Sequence, residues 1–356
     1  MGQKKSKFTF IDLFAGIGGF HLAMESVGGK CVFASEIDKF ARQTYQKNFE
    51  RKSPELFQSG LFNEDINKIE PKDIPDFDCL CAGFPCQPFS YAGQKKGFED
   101  KTRGTLFFNI KEIVKAKRPK MFFLENVKGL VSHKGGKTVK TILDVLENEL
   151  GYRVYTKVLS SLDFGLPQKR ERWYCVGFRK EFTENFRFPK PIGKKSTLRD
   201  IIDLDNDDPS LKLTQFEMDR IKYHFEHAKE SIRVKHDNSK YKPTTKKGKY
   251  GIYSYQKPDG SLRFHVGDAA KTQIQEAFYS CLDTYASTII ANRTPKLWDI
   301  GRKLSVREAL RLQGFPESFK MPVSDMQAFK QLGNSVSIPV LKAIAKEMVK
   351  VLDGEE

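Results

Sequence analysis

From Lys7 to about Arg179, short apolar runs alternate with longer stretches that are apolar along one helical face, the pattern of strands joined by crossover helices. Phe8 to Phe14, Lys30 to Ser35, Phe77 to Cys81 and Lys120 to Glu125 read as strands. The spacing predicts helices over His21 to Val27, Lys39 to Asn48, Leu106 to Lys117 and Val139 to Leu150, the last followed by Gly151 in the position where a left-handed glycine ends helices. The expected fold is an α/β doubly wound sheet. After Phe178 the texture changes to mixed charge clusters, Pro189, Pro191, Pro209 and a polar stretch through Lys257 with weak periodicity, which marks a second, smaller module. Order returns at Ser305-Val306-Arg307-Glu308, whose serine and glutamate form a capping box, and a further helix is expected from about Pro339 to Leu352. Residues 1–182 and 328–356 are expected to build one discontinuous domain, with 183–327 as the second module and hinge.

Composition narrows the class. With 39% hydrophobic residues and no apolar run near the ~20 residues of a membrane span, no membrane segment is expected. The stretch Met1 to Lys7 is basic but leads straight into Phe8-Thr9-Phe10-Ile11, without a signal peptide's apolar core, which favours the cytoplasm. Six cysteines at 31, 79, 81, 86, 175 and 281 are too sparse for a disulfide framework and read as free thiols. Lysine and arginine outnumber aspartate and glutamate by 61 to 45, giving a net charge of +16. Such an excess attracts a polyanion, although a lysine-rich solvated surface accounts for composition equally well.

Phe10-Ile11-Asp12-Leu13-Phe14-Ala15-Gly16-Ile17-Gly18-Gly19 puts a glycine-rich turn directly after the first strand, where backbone passes close to a ligand. Tight strand-to-helix turns also use glycine for steric reasons alone. Glu36, twenty positions after Gly16 at the end of the next strand, adds a carboxylate able to accept both hydroxyls of a ribose. His21 stands where a dinucleotide fingerprint needs its last glycine, so adenosine without a pyrophosphate fits better. Gly136-Lys137-Thr138 mimics the end of a phosphate loop, but the required earlier glycine is Val131, and an ATPase is excluded.

Asp78 through Ser90 is the most informative stretch. Cys86 lies between Pro85 and Pro88, which forbid continued strand pairing and present its sulfur on a fixed loop at the sheet's carboxyl edge. A thiol so placed is a candidate nucleophile. Cys79 and Cys81 lack zinc-ligand spacing and read as core. Glu125-Asn126-Val127 follows another apolar strand, which brings its carboxyl group to the same edge, and Gln168-Lys169-Arg170-Glu171-Arg172 delivers two arginines at the head of a buried strand.

In this order the elements resemble the cytosine-5 DNA methyltransferase family over nearly the whole chain apart from the middle. Phe14 to Gly19 is similar to its cofactor loop, Gly83-Phe84-Pro85-Cys86-Gln87-Pro88-Phe89-Ser90 to its catalytic loop, and Glu125-Asn126-Val127 to its acid motif. Gln168 to Arg172 resembles its Q-x-R-x-R element. Arg302 to Pro316 and Gly333-Asn334-Ser335-Val336 resemble its two closing motifs. The resemblance implies a Rossmann-like sheet that uses S-adenosylmethionine, with target recognition in the second module. It implies Cys86 as the nucleophile on cytosine C6, Glu125 near N3, Arg172 at O2 and Arg170 bracing the loop. It places Phe14 on adenine, Glu36 on ribose, Asp65 on the adenine amine, and Asn334 and Ser335 near the methionine end. Ala15, Gly16, Gly18, Gly19, Ile37, Ile66, Pro85 and Leu106 complete that site. Attack on C6 requires the base to be flipped out of the helix. A lid from Pro85 to Arg103, hinged at Gly93 and Gly97, is implied over it, with Gln87, Ser90 and Arg103 as DNA contacts.

Between about Thr183 and Gly301 the resemblance nearly vanishes. Lys222 to Lys257 interleaves lysines with tyrosines, as either a phosphate-gripping surface or a small aromatic core with a lysine coat. His224, His227, His236 and His265 lack partners at ligand spacing, and no metal is expected. Thr288 lies near the family's recognition threonine. Duplex DNA is the expected partner of a monomer, with a cognate restriction endonuclease acting on the same site without direct contact. A relative that methylates cytosine in transfer RNA and a catalytically inactive binding homologue are the alternatives. The long basic module, suited to a duplex groove, argues against the first, and the full set of competent residues argues against the second.

Overall fold

The computed structural model describes residues 6–85, 106–182, 185–215, 218, 234–236, 251–256, 262–267, 275–291 and 294–354. Strand β1, Phe8–Leu13, pairs in parallel with β2, Gly29–Ser35, on one side and with β4, Cys79–Gly83, on the other. The short β3, Phe62–Asn63, extends the sheet beyond β2, and β5, Met121–Val127, extends it beyond β4. Strand β8, Glu171–Arg179, lies antiparallel between β5 and the edge strand β6, Tyr152–Ser160. The result is a seven-stranded sheet in the order β3-β2-β1-β4-β5-β8-β6. The chain changes direction of travel between β1 and β4, which opens a crevice beyond their carboxyl ends where open sheets of this kind bind ligands.

Alternation along β1 splits the core in two. Phe8 and Phe10 face α1, Gly19–Glu25, α2, Lys39–Phe49, and the C-terminal helix, with α3, Pro54–Gln58, closing the edge through buried Leu56. Ile11 and Leu13 face α4, Leu106–Lys117, and α5, Lys137–Asp144, which continues into a π turn, Val145–Glu149. Both layers bury their apolar stripes on the sheet, as a doubly wound fold requires. Gly151 has φ 75 directly after that turn, as its position predicts.

The second module carries a six-stranded sheet. Strands β9, Val234–His236, β10, Gly251–Gln256, β11, Leu262–Gly267, and β12, Gln275–Ser280, pair antiparallel in sequence order. Beyond β12 lie β14, Lys296–Leu297, and β15, Arg302–Lys303. A two-strand contact joins this region to the main domain, where β13, Ala286–Ser287, runs beside β7, Gln168–Lys169. The capping box is present at α6, Val306–Gln313: Ser305 Oγ accepts from the Glu308 amide at 3.2 Å and Glu308 Oε2 from the Ser305 amide at 2.8 Å. Glu308 also takes both terminal nitrogens of Arg302, at 2.7 and 2.9 Å, so its buried charge is paired. Helices α7, Asp325–Asn334, and α8, Ile338–Asp353, follow. Among the described residues no helix is long and apolar enough to cross a membrane.

Candidate active site

The glycine-rich loop owes its shape to three left-handed residues in five: Phe14 at φ 55, Gly16 at φ 54 and Gly18 at φ 89. Phenylalanine rarely adopts this conformation, which costs on the order of 1–3 kcal/mol and persists only where the surroundings enforce it. The chain thus reverses immediately off β1 and leaves the Phe14 ring on the wall of a cavity of about 480 Å³. Gly16 opens on the same cavity, and a Cβ there would meet nothing within 4 Å. Ala15, Gly18 and Gly19 are not on its wall. A Cβ at Gly18 would lie 2.2 Å from the Phe49 ring and one at Gly19 2.3 Å from Val336, so these glycines serve the packing behind the loop.

Glu36 stands opposite at the end of β2. Its Oε2 accepts from the Gly16 amide and its Oε1 from the Asp38 amide, each at 2.7 Å. Burial raises its pKa above the ordinary carboxyl value, against the pull of those two amides. Each oxygen keeps a second lone pair for a ligand hydroxyl. Asp65 caps a short 3-10 turn through the Asn67 amide at 3.0 Å and lines the cavity with Ile66, the exposed Ile37, Pro85 and Leu106.

The far end of the cavity is formed by Glu125, Arg170, Arg172, Asn334 and Ser335. In register, Glu125 lies between Gly83 of β4 and Tyr174 of β8, and its Oε1 is 3.2 Å from Arg172 Nε. Burial pushes its pKa up, and the two guanidiniums of Arg172 and Arg170 only partly oppose it. Next to it, the buried Asn126 donates from Nδ2 to the Phe84 carbonyl at 2.8 Å, which fixes the chain two residues before Cys86. Cys86, Gln87, Ser90 and Arg103, and with them the expected lid beyond Pro85 and its hinges Gly93 and Gly97, lie outside the described residues, as does most of the lysine- and tyrosine-rich stretch.

Arg170 is buried and donates to three carbonyls, Ile289 and Gly333 at 3.1 Å each and Ser335. Burial lowers its pKa, but the three acceptors favour the charged form. Gln168 works beside it, accepting from the Ile289 amide at 2.9 Å and donating to Leu312 O at 3.1 Å. Thr288 Oγ1 donates to the Lys169 carbonyl at 2.7 Å, so the segment 286–289 of the second module is tied to β7 at the edge of the site.

The family model for C-5 cytosine-specific DNA methylase matches residues 8–350. The chain belongs to this family. The methylase is 42% identical to the Type II methyltransferase M.HpaII of Haemophilus parainfluenzae over 98% of this chain and 91% of that protein. It is 40% identical to M.HhaI of Haemophilus parahaemolyticus over 94% and 92%. Its fold matches a solved structure of Spodoptera frugiperda DNMT2 with a TM-score of 0.64 at 19% identity, covering 97% and 99% of the two chains. The methyl donor of the family is S-adenosylmethionine, and the cavity of this methylase has an acidic and apolar lining, with Glu36, Asp65 and Glu125 beside Phe14, Ile37 and Leu106, that suits such a cation.

Sequence reasoning missed Asp38, Lys330 and Gln331 and gave Asn126 no role beyond its place in the acid motif; all four line the cavity. For Asn126 the adjacency to Glu125 was a usable signal. Replacing Arg170 with lysine should weaken S-adenosylmethionine binding about tenfold, because one ammonium cannot reach carbonyls on two segments and a hydrogen bond to a charged group contributes about 1.5–3 kcal/mol. Titration with thermal melting as the control measures it; unchanged affinity at a lowered melting temperature would mean the arginine serves folding alone.

Proposed function

We propose that this methylase transfers a methyl group from S-adenosylmethionine to C5 of a flipped cytosine in a specific sequence of duplex DNA, as the modification enzyme of a restriction-modification system. The observation that carries the reading is one continuous cavity with an adenosine-type end at Phe14 and Glu36 and an acid-guanidinium end at Glu125 and Arg172, adjoining the chain that leads into Cys86.

When bound, S-adenosylmethionine supplies an electrophilic methyl group. Phe14 offers its ring to adenine, Glu36 its free lone pairs to the ribose, Asp65 an acceptor to the adenine amine, and Asn334 and Ser335 donors at the methionine end. Cytosine C5 is too weak a nucleophile until the ring is saturated across C5 and C6. The Cys86 thiolate forms a bond to C6 and pushes the electron pair to C5. Glu125 protonates or hydrogen-bonds N3 as charge develops, and Arg172 binds O2. After methylation a base removes the C5 proton, the C6–S bond breaks, and the thiolate leaves with its electron pair.

Residues 1–182 and 328–356 serve as the catalytic domain and 183–327 as target recognition and hinge, with Thr288 close to the bound duplex. The protein acts as a cytoplasmic monomer, and its cognate endonuclease shares the DNA site without contact. The test is to supply radiolabelled S-adenosylmethionine with duplex DNA or with transfer RNA, and then to map the modified cytosine by bisulfite sequencing of plasmid. Label on DNA is expected; label on RNA alone would sink the proposal.

A further inference from the structure

The cavity has two walls made by segments far apart in the chain. One is the turn 36–38 between β2 and α2, which carries Glu36 and Ile37. The other is α7, whose end leads into Asn334 and Ser335. Between these walls, Lys330 Nζ lies 2.8 Å from Asp38 Oδ2, and both residues line the cavity. We propose that Asp38 and Lys330 are positioning residues whose ion pair holds these two walls together and sets how long S-adenosylmethionine and its demethylated product stay bound. The inference rests on the reading of this cavity as the S-adenosylmethionine site.

The bonds around the pair make it a coupling and not an isolated surface contact. Asp38 divides its carboxylate: Oδ1 caps α2 by accepting from the amides of Phe40 and Ala41 at 2.9 and 3.0 Å, leaving Oδ2 for Lys330. Burial opposes its charge, yet Lys330 and the two amides outweigh that and hold the carboxyl below its ordinary pKa. The Asp38 amide in turn donates to Glu36 Oε1 at 2.7 Å, so moving Asp38 moves the acceptor proposed for the ribose. Arg42 grips the same turn from behind, donating to the Glu36 and Ile37 carbonyls at 3.2 and 2.9 Å, while its other nitrogen pairs with Glu64 at 2.7 Å.

Two further rungs lie along α2. Thr44 donates to Gln331 Oε1 at 2.9 Å, and Asn48 exchanges two bonds with the Lys320 backbone, each at 2.8 Å. Both rungs are neutral; the first is buried, and the second is exposed and ties α2 to the chain ahead of α7. The Asp38–Lys330 rung is charged and about a third exposed, whereas Thr44–Gln331 is buried, so the charged pair is the contact that can part while the buried one keeps α7 in register.

Asp38→Asn keeps the Oδ1 cap and removes the charge, and Lys330→Gln shortens the other half. Release of labelled S-adenosylmethionine, and separately of S-adenosylhomocysteine, is followed after a chase with excess unlabelled ligand, using the full chain without DNA. Each single variant should release both ligands about two- to fivefold faster at low salt, the scale of a half-exposed pair. The double variant should be no faster than the quicker single, and the wild-type advantage should vanish at high salt, where exposed charges are screened. Release rates equal to wild type in folded variants, or single effects that multiply in the double, would overturn the latch. Wild-type protein that retains no S-adenosylmethionine would instead overturn the reading of the cavity, and the latch with it.

Discussion

Alanine in place of Cys86 should reduce methyl transfer to duplex DNA by roughly 10⁴-fold or more, the scale seen when a catalytic nucleophile is removed. Binding of S-adenosylmethionine should survive, because the contacts proposed for it, Phe14, Glu36, Asp65, Asn334 and Ser335, do not include this thiol. The described chain is held in place up to Pro85, the residue before the proposed nucleophile. β4 ends at Gly83, opposite Glu125 in register, and Asn126 holds the Phe84 carbonyl at 2.8 Å. The next residue is a proline with its restricted φ. Covalent chemistry has its own readout: on DNA containing 5-fluorocytosine no proton can leave C5, so the wild-type enzyme should remain attached through denaturation. The alanine variant should leave the DNA free. Attachment that persists in the variant would move the nucleophile elsewhere.

What could be read from the sequence divides along physical lines. The first strand, its turn and the helices around it were legible because periodicity and the turn residues are local, and Ser305-Val306-Arg307-Glu308 because a capping box lies within four residues. The predicted bounds moved by one or two residues, as where the first helix begins at Gly19 or the last turn before Gly151 is a π turn ending at Glu149. β6 was not legible: it is an edge strand half open to solvent, and its polar and apolar positions do not alternate cleanly. The strands of the second module were missed although Pro258-Asp259-Gly260 stands between β10 and β11, a turn sequence of the kind that joins hairpin strands.

The site shows the same division. A glycine motif names residues without saying which side of each must stay empty, so Gly16 and Gly18 looked alike until Phe49 was found against one of them. Asp38 and Lys330 are 292 positions apart and Arg170 reaches 165 positions to Ser335, separations that no periodicity encodes. Glu125 was legible as an acid at the sheet edge, but its burial, and hence its protonation behaviour, depends on β4, β8 and Arg170 assembling around it.

That burial sets the expectation for Glu125→Gln. The glutamine preserves shape and one acceptor but cannot hand a proton to N3, so kcat should fall on the order of 10²- to 10⁴-fold, the usual contribution of a general acid, with little change in the KM for S-adenosylmethionine. The sign of the pH dependence follows from the environment. Desolvation raises the Glu125 pKa, and Arg172 at 3.2 Å with Arg170 behind it pulls the other way without prevailing. A raised pKa keeps the carboxyl protonated at higher pH than an exposed glutamate, and the acid form is the one that donates. Wild-type kcat should therefore decline as pH rises through that pKa, and the glutamine variant should lack this limb while keeping any limb that belongs to the Cys86 thiol. Removing the positive neighbour tests the same balance from the other side. Arg172→Met leaves the buried carboxyl with less opposition to protonation, so the declining limb should move to higher pH even as kcat drops from the loss of the proposed O2 contact. If the limb stayed in place in Arg172→Met, or remained in Glu125→Gln, another group would be supplying the proton.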